Sequence, residues 1–325
     1  MRIDPALRAL RSDPASQRAA QAALEGVKAD WQARPEVARL LTDLRAYGEG
    51  AALTDCPALD TAMALADEAR ALVDALVEPM QASLRDHPLG QVPFRHQYSG
   101  GIGVLQLVES GRAAISLLTY EGAAMARFAS PQTVCFSAGE RNEVYLAGSA
   151  EARVFEILSD EGRRVVMDCE RRRLVAGETL SLAGARHTKI VDRVEGRLVM
   201  LRLGRGDERL EPAREFRISD GELVHQASAD VRESRAEMAM ALLGRMERTD
   251  ALPQFERLAL QGSDHLRWQA LRECLALDTE RGFRALSRVA EDANDTLGTA
   301  AGALRAQLLE AHPALSRQEC APCRG

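Results

Sequence analysis

Ile102-Gly103-Val104-Leu105-Gln106-Leu107-Val108, then Glu109-Ser110-Gly111-Arg112, then Ala113-Ala114-Ile115-Ser116-Leu117-Leu118-Thr119-Tyr120 is the stretch that decides the fold. Two apolar-rich runs flank a polar connection with a glycine where a tight turn is wanted. Short runs bounded in this way read as strands rather than helices. The same grain continues through Thr133 to Ser137, Glu143 to Leu146, Ala152 to Leu158, Arg163 to Cys169, Arg172 to Val175, Glu178 to Leu182, Thr188 to Val194 and Arg197 to Arg202, with Gly162 and Gly196 at connections. So many short strands in about 125 residues predict a closed or sandwiched antiparallel sheet, a β-barrel, over residues 89–220.

On either side of that region the period is helical. Before Pro88-Leu89-Gly90, residues 1–88 read as helix throughout. Asp13-Pro14, Pro35 and Pro57 mark helix starts, because proline suits the first turn, where its missing N–H has no partner to lose. The expected inward faces are Ala19, Ala22, Ala23, Val27 and Trp31; then Val37, Leu40, Leu41 and Leu44; then Leu59, Met63, Ala66, Ala69, Leu72, Val73, Leu76 and Met80. After Asp220-Gly221 the helical period returns over 221–315, leaving residues 316–325 as a tail. Here an offset of 31 residues recurs: Asp264 and Asp295, Leu266 and Leu297, Ala270 and Ala301, Leu277 and Leu308, with Leu252 and Phe283, Phe255 and Leu286, Leu258 and Val289 on the partner helix. Two helices per repeat of that length predict an α-solenoid, in which each pair buries its face on the next. The fold class is therefore α+β and multidomain.

The totals bound the function. A net charge of −6 with 46% hydrophobic and 28% charged residues describes a globular chain and argues against general nucleic-acid binding, which needs a basic face. Arg171-Arg172-Arg173 is a local exception and reads first as a solvated strand edge. No apolar run reaches the length of a membrane span, and Met1-Arg2-Ile3-Asp4-Pro5 lacks the apolar core of a signal peptide. Six scattered cysteines do not form a disulfide framework. The expectation is a cytoplasmic protein with reduced thiols that engages neither membrane nor nucleic acid.

Two resemblances refine this picture. Leu266-Arg267-Trp268-Gln269-Ala270-Leu271, Leu277-Asp278, Ala285-Leu286 and Ala300-Ala301 with Leu304 resemble the HEAT-like repeat family over roughly residues 229–315; this implies a surface for a protein partner. Gly177-Glu178-Thr179-Leu180-Ser181-Leu182-Ala183-Gly184-Ala185-Arg186-His187 resembles the second motif of the cupin superfamily, a glycine turn, a strand, a second turn and a metal-binding histidine. It is one residue shorter than usual and carries Ala183 where proline is common. Glu143 to Gly148 with Ala150 to Val154 looks like the second half of the first cupin motif. Its first half, which supplies two histidines and a glutamate in metal-bearing cupins, reads Ser137-Ala138-Gly139-Glu140-Arg141-Asn142 here and holds no histidine. Cupin barrels pair through their sheets, so the resemblance also allows a homodimer.

The resemblance frames the candidate sites. A metal set would draw on His187, His96 and a glutamate, Glu140 or Glu143, with Glu143 favoured, and would hold Fe(II), Mn or Zn. The competing reading gives His187 a hydrogen bond at a turn and the barrel no metal. A ligand pocket at the barrel mouth would draw on Arg95, Tyr98, Glu140, Arg141, Tyr145 and Arg186, whose cations suit a carboxylate or phosphate. Cys320-Ala321-Pro322-Cys323 is a CxxC without a second pair or a βαβ context. The preferred function is a non-catalytic protein that binds a small ligand in the barrel and a protein through the repeats. The alternative is a metal-dependent cupin oxygenase or isomerase.

Overall fold

The computed structural model describes Pro5, Arg8 and residues 14–182, 184–208 and 211–318. Asp13, Ala183, Cys320 and Cys323 lie outside these residues. The chain divides into two compact units, the first comprising residues up to 209 with 215–224 and the second 210–214 with 225–325.

In the first unit, four helices lead into the sheet: α1 Ala15–Ala33, α2 Pro35–Glu49, α3 Pro57–Ala64 and α4 Ala66–Asp86. The run expected as one long helix from Pro57 breaks at Leu65, whose backbone is extended. In α1 the buried stripe is Ala20, Leu24 and Trp31 with Val27 half-buried, while Ala19 and Ala22 face outward. Alanine is too small to mark a face, so the larger side chains set it. Trp31 donates its indole N–H to the carbonyl of Leu72 at 3.2 Å, which ties α1 to α4.

The strands are β1 Arg95–Ser99, β2 Ile102–Ser110, β3 Ala113–Glu121, β4 Thr133–Phe136, β5 Glu140–Asp160, β6 Val165–Val175, β7 Thr179–Leu182, β8 His187–Arg205, β9 Ala213–Arg217 and β10 Leu223–Ala227, with a one-turn helix α5 at Gly122–Met125. They form a seven-stranded antiparallel sheet in the order β1-β2-β3-β8-β5-β6, with β7 also on β5, and a three-stranded sheet β10-β9-β4. The expected closed barrel is not formed, since β1 and β6 end the larger sheet and do not pair with each other. Two strands also run longer than expected. Segments read as separate, Glu143 to Leu146 with Ala152 to Leu158 and Thr188 to Val194 with Arg197 to Arg202, are continuous in β5 and β8. Each of these strands runs for about twenty residues. Register shifts at Tyr145/Ala147, Ala147/Ser149 and Glu151/Ala152 interrupt their ladder, and such bulges bend strands instead of ending them.

Alternation gives this sheet two faces. Ile115, Val144, Leu146, Leu201 and Leu203 pack into one core with α1–α4, so the N-terminal helices cover the sheet. Leu118, Tyr145, Leu174, Leu198 and Met200 form a second core on the opposite face. A polar staple fastens α2 to the sheet. Tyr47 donates its hydroxyl to Glu140 at 2.8 Å. Arg205 clamps the same carboxylate at 2.9 and 3.0 Å and lies 3.9 Å over the Tyr47 ring.

The second unit is helical: α6 Val231–Arg245, α7 Leu252–Leu258, α8 Asp264–Leu277, α9 Thr279–Glu291 and α10 Gly298–Ala311. Asp230, Ser263 and Asp278 cap three of them by accepting backbone N–H groups. Residues related by the 31-residue offset share environments: Phe255 and Leu286, and Ala270 and Ala301, are buried in one core, and Leu252 and Phe283 are both buried. The acids recur too. Glu233 accepts from Ser263 at 2.6 Å and Asp264 from Thr296 at 2.6 Å, so each acid at a helix start holds the connection that follows it.

Gly148 sits at the bulge in β5 with φ +82°, and a Cβ there would meet the Arg197 carbonyl oxygen at 1.9 Å. Gly177 has φ +95° but open space around it. Gly148→Ala is expected to cost at least about 2–3 kcal/mol through strain and a backbone shift, against about 1 kcal/mol for Gly177→Ala. Urea unfolding of the two variants would show the difference.

Candidate functional site on the inner face of the bent sheet

The two-residue period of a strand places Glu143 and Tyr145 of β5 on the face opposite Val144 and Leu146. Register then sets Glu143 across from Arg202, and Tyr145 across from Met200, on β8. Lys189 is eleven residues before Met200 in the same strand. In a straight strand that separation would be about 36 Å. Yet Lys189 Nζ lies 3.8 Å from Met200 Sδ, so β8 folds back over its own face and brings a lysine to the buried carboxylate.

The result is a compact polar cluster. Lys189 is ion-paired with Glu143 Oε2 and donates to Tyr145 Oη at 2.8 Å. Its ammonium stands 4.9 Å from the Tyr145 ring centroid, within cation–π range. Tyr145 donates to Glu143 Oε2 at 2.9 Å. Arg202 grips Oε1 through Nε at 3.0 Å and Nη2 at 2.9 Å. Arg141, also close by, is held by two long contacts of 3.4 Å to the His187 carbonyl and Thr188 Oγ1. Glu143 is fully buried and the Lys189 side chain 4% exposed, whereas Arg202 is 26% exposed, so the cluster opens toward solvent on the arginine side.

Burial alone would raise the Glu143 carboxyl, but the Lys189 ammonium and Arg202 guanidinium outweigh it and hold the group below the ordinary carboxylate range. Burial, with Arg202 and Arg141 nearby, lowers the Lys189 ammonium even though Glu143 supports it. Burial raises Tyr120 and Tyr145.

Of the residues singled out in the sequence, Arg141, Glu143 and Tyr145 come together. The others do not. Arg95 and Tyr98 lie on the outermost strand β1, all of it exposed; Arg95 sits 3.6 Å from Glu109 and Tyr98 donates to Glu121 at 2.7 Å. Glu140 belongs to the staple on α2. Arg186 donates to the carbonyls of Ile157 and Leu158. The metal set is not assembled either. His96 is on β1 with Nδ1 2.9 Å from the Phe94 carbonyl, His187 heads β8 beside Glu156 at 3.6 Å, and Glu143 is saturated by cations. Among the described residues no three metal-ligating side chains converge, so these residues do not fit a catalytic metal. Lys189, Arg202 and Tyr120 were missed. Strand alternation flags Arg202, which shares a face with Met200 in an otherwise apolar run, but nothing local signals Lys189, because its partner depends on the bend.

No family model and no curated protein matches the chain. Solved structures of cupins are similar over about a third of it. A cupin superfamily protein from Desulfitobacterium hafniense is 21% identical, covering 34% of this chain and 83% of that one at a TM-score of 0.23. An RmlC-like cupin from Shewanella frigidimarina is 9% identical, covering 36% and 86% at 0.24. Hydroxypropylphosphonic acid epoxidase from S. wedmorenis is 10% identical, covering 34% and 55% at 0.25, so the chain spans about half of that enzyme. At these scores the likenesses carry no argument about what the site does. No described helix is long and apolar enough to cross a membrane.

Removing the Glu143 charge strands two buried cations. Glu143→Gln is expected to destabilise the protein by about 3–5 kcal/mol, and Glu143→Gln with Lys189→Met to recover part of that loss, as read by urea unfolding. The pH dependence has a defined sign. A carboxyl lowered in the folded state contributes stability that is complete above its unfolded value of 4.5 and is lost as pH falls through the folded value. Thermal unfolding followed downward from pH 5 should therefore fall more steeply in the parent than in Glu143→Gln.

Proposed function

We propose that the chain is a non-catalytic binding protein whose cupin-like sheet holds a small anion on its inner face. One observation carries this reading: Arg141, Lys189 and Arg202 crowd a single carboxylate, leaving positive charge in a largely buried site. Buried charge is costly unless paired, and a carboxylate or phosphate arriving beside Arg141 and the partly exposed Arg202 would supply the missing partner through charge-assisted hydrogen bonds. The layout around Gly177 to His187 supports the cupin-like reading. A positive-φ glycine precedes β7, a turn follows, and His187 opens β8.

The C-terminal helices are proposed to stack as HEAT-like pairs and to present a face to a protein partner. The recurring buried positions support the stacking. Met238, Leu242 and Met246, four residues apart and each more than half exposed, support a contact role. Cys56, Cys135, Cys169 and Cys274 are free thiols, which favours a reducing compartment such as the cytoplasm.

The test is thermal unfolding of the full chain with inorganic phosphate, malonate and citrate at about 10 mM each. A ligand present at 100 times its Kd adds about 2.7 kcal/mol, expected to raise Tm by about 5 °C or more. Arg141→Met should abolish the shift while leaving the unliganded Tm within a few degrees of the parent. A flat response to every anion would sink the reading.

A further inference from the structure

We infer a second binding surface along the open edge of β6, one that takes an acidic, extended peptide segment. Strand β6 is the last in the sheet and pairs only with β5. Its outer edge is covered at its start, where the Val165 N–H reaches the Gly221 carbonyl and the Leu223 N–H reaches Arg163. Beyond Val165, among the described residues, no strand pairs with that edge, so alternate backbone donors and acceptors from Met167 to Val175 face outward while the rest bond β5. An unpaired edge is a template for adding a strand.

The side chains around the edge define its chemistry. Arg171, Arg172 and Arg173 are consecutive, so alternation places Arg171 and Arg173 on one face and Arg172 on the other. Register sets Arg171 beside Arg153 and Arg173 beside Glu151. A groove of about 640 Å³ runs over the sheet face from β6 across β5 to β8, lined by all four arginines with Ser130, Glu151 and Asp192, so the side chains of a strand added at the edge would border it. Arg153 is already committed: it is bidentate to Asp192 at 2.8 and 2.9 Å and touches Ser130. Arg173 reaches Glu195 at 3.3 Å, with both side chains more than half exposed. The side chains of Arg171 and Arg172 make no ion pair or hydrogen bond among the described residues. A fixed arginine at the groove wall and two uncommitted ones on opposite faces of an open strand suit a peptide with acidic side chains pointing both ways.

A second copy of the chain is the rival occupant of this edge, and the register sets how well it fits. Two antiparallel copies related by a twofold axis share faces, so opposed residue numbers must sum to an even number. Centring the axis on residue 172 sets Arg172 against itself and Arg171 against Arg173 on both sides, whereas centring it on 171 opposes one Arg171 pair but sets Arg172 against Glu170 twice. Like charges directly opposite each other disfavour pairing. An acidic heterologous strand avoids that conflict over Arg171 to Arg173, while Asp168 and Glu170 bound its acidic stretch on one side.

The experiment uses the full-length protein and a fluorescent peptide of alternating glutamate and valine. Three comparison probes accompany it: the same peptide with lysine for glutamate, an analogue N-methylated at alternate backbone nitrogens, and a single-stranded DNA oligonucleotide. The expected result is saturable binding of the acidic peptide. Affinity should fall at least tenfold for the N-methylated analogue and at least tenfold for the Arg171→Glu/Arg173→Glu variant, whose circular dichroism melt should match the parent. The lysine peptide should not bind. Equal binding of the N-methylated peptide or of DNA would reduce the edge to general attraction for polyanions and overturn the inference. So would absence of binding, or sedimentation showing a dimer that the arginine variant dissociates.

Discussion

A single buried carboxylate organises the sheet. Glu143 lies on a face otherwise occupied by Leu118, Leu174, Leu198 and Met200, where an unpaired charge would be untenable. Register supplies Arg202 directly across the ladder, but one guanidinium binds only Oε1. The second oxygen is satisfied by Lys189 and Tyr145, and Lys189 reaches it only because β8 doubles back. The bulges in the β5–β8 ladder are thus part of the same arrangement as the charge cluster. A straight pair of strands would strand both Glu143 and Lys189.

The opposite face of the sheet answers a different requirement. Val144, Leu146, Leu201 and Leu203 need apolar cover, which α1–α4 provide. Apolar packing is non-directional and would tolerate sliding of α2 over the strands. The Tyr47, Glu140 and Arg205 contacts remove that freedom, since Arg205 also donates to the Tyr47 and Ala51 carbonyls. Glu140 and Glu143 therefore do separate work although they are three residues apart in one strand. One fixes a helix to the outer face and the other nucleates the inner cluster.

The legible and illegible parts of this chain divide along physical lines. Helical stripes built from Leu, Val and Met, such as Leu72, Leu76 and Met80, were readable because large apolar side chains have one place to go. The stripe in α1 was misread because alanines occur on every side of it. Strand identity was readable, but strand continuity was not, since a bulge and a turn look alike in sequence. That confusion produced the expectation of a closed barrel. The edge strand β1, all of it exposed, carries no apolar run and could not be found that way. At the site, Arg141, Glu143 and Tyr145 are near neighbours in one strand and all drew notice, though Arg141 and Tyr145 as ligand contacts and Glu143 as a metal ligand. Lys189 pairs with a residue 46 positions away, through a fold-back that no local pattern encodes. His96 and His187 drew attention as imidazoles, yet chemistry depends on convergence, and they sit on different strands facing different neighbours.

The chain carries a net charge of −6 but concentrates cations at two places in the sheet, and burial makes those places unlike. At Glu143 the charges are shielded from water, so each contact is strong and each mismatch is costly. At β6 the arginines are solvated, their attraction is weakened by salt over distances near 8 Å, and specificity has to come from the backbone edge they flank. The same residue type therefore stands in two unlike settings. In the proposed anion site inside the bend, recognition would rest on charge balance; at the proposed edge site, it would rest on the geometry of an unpaired strand, with charge choosing among partners that can adopt it.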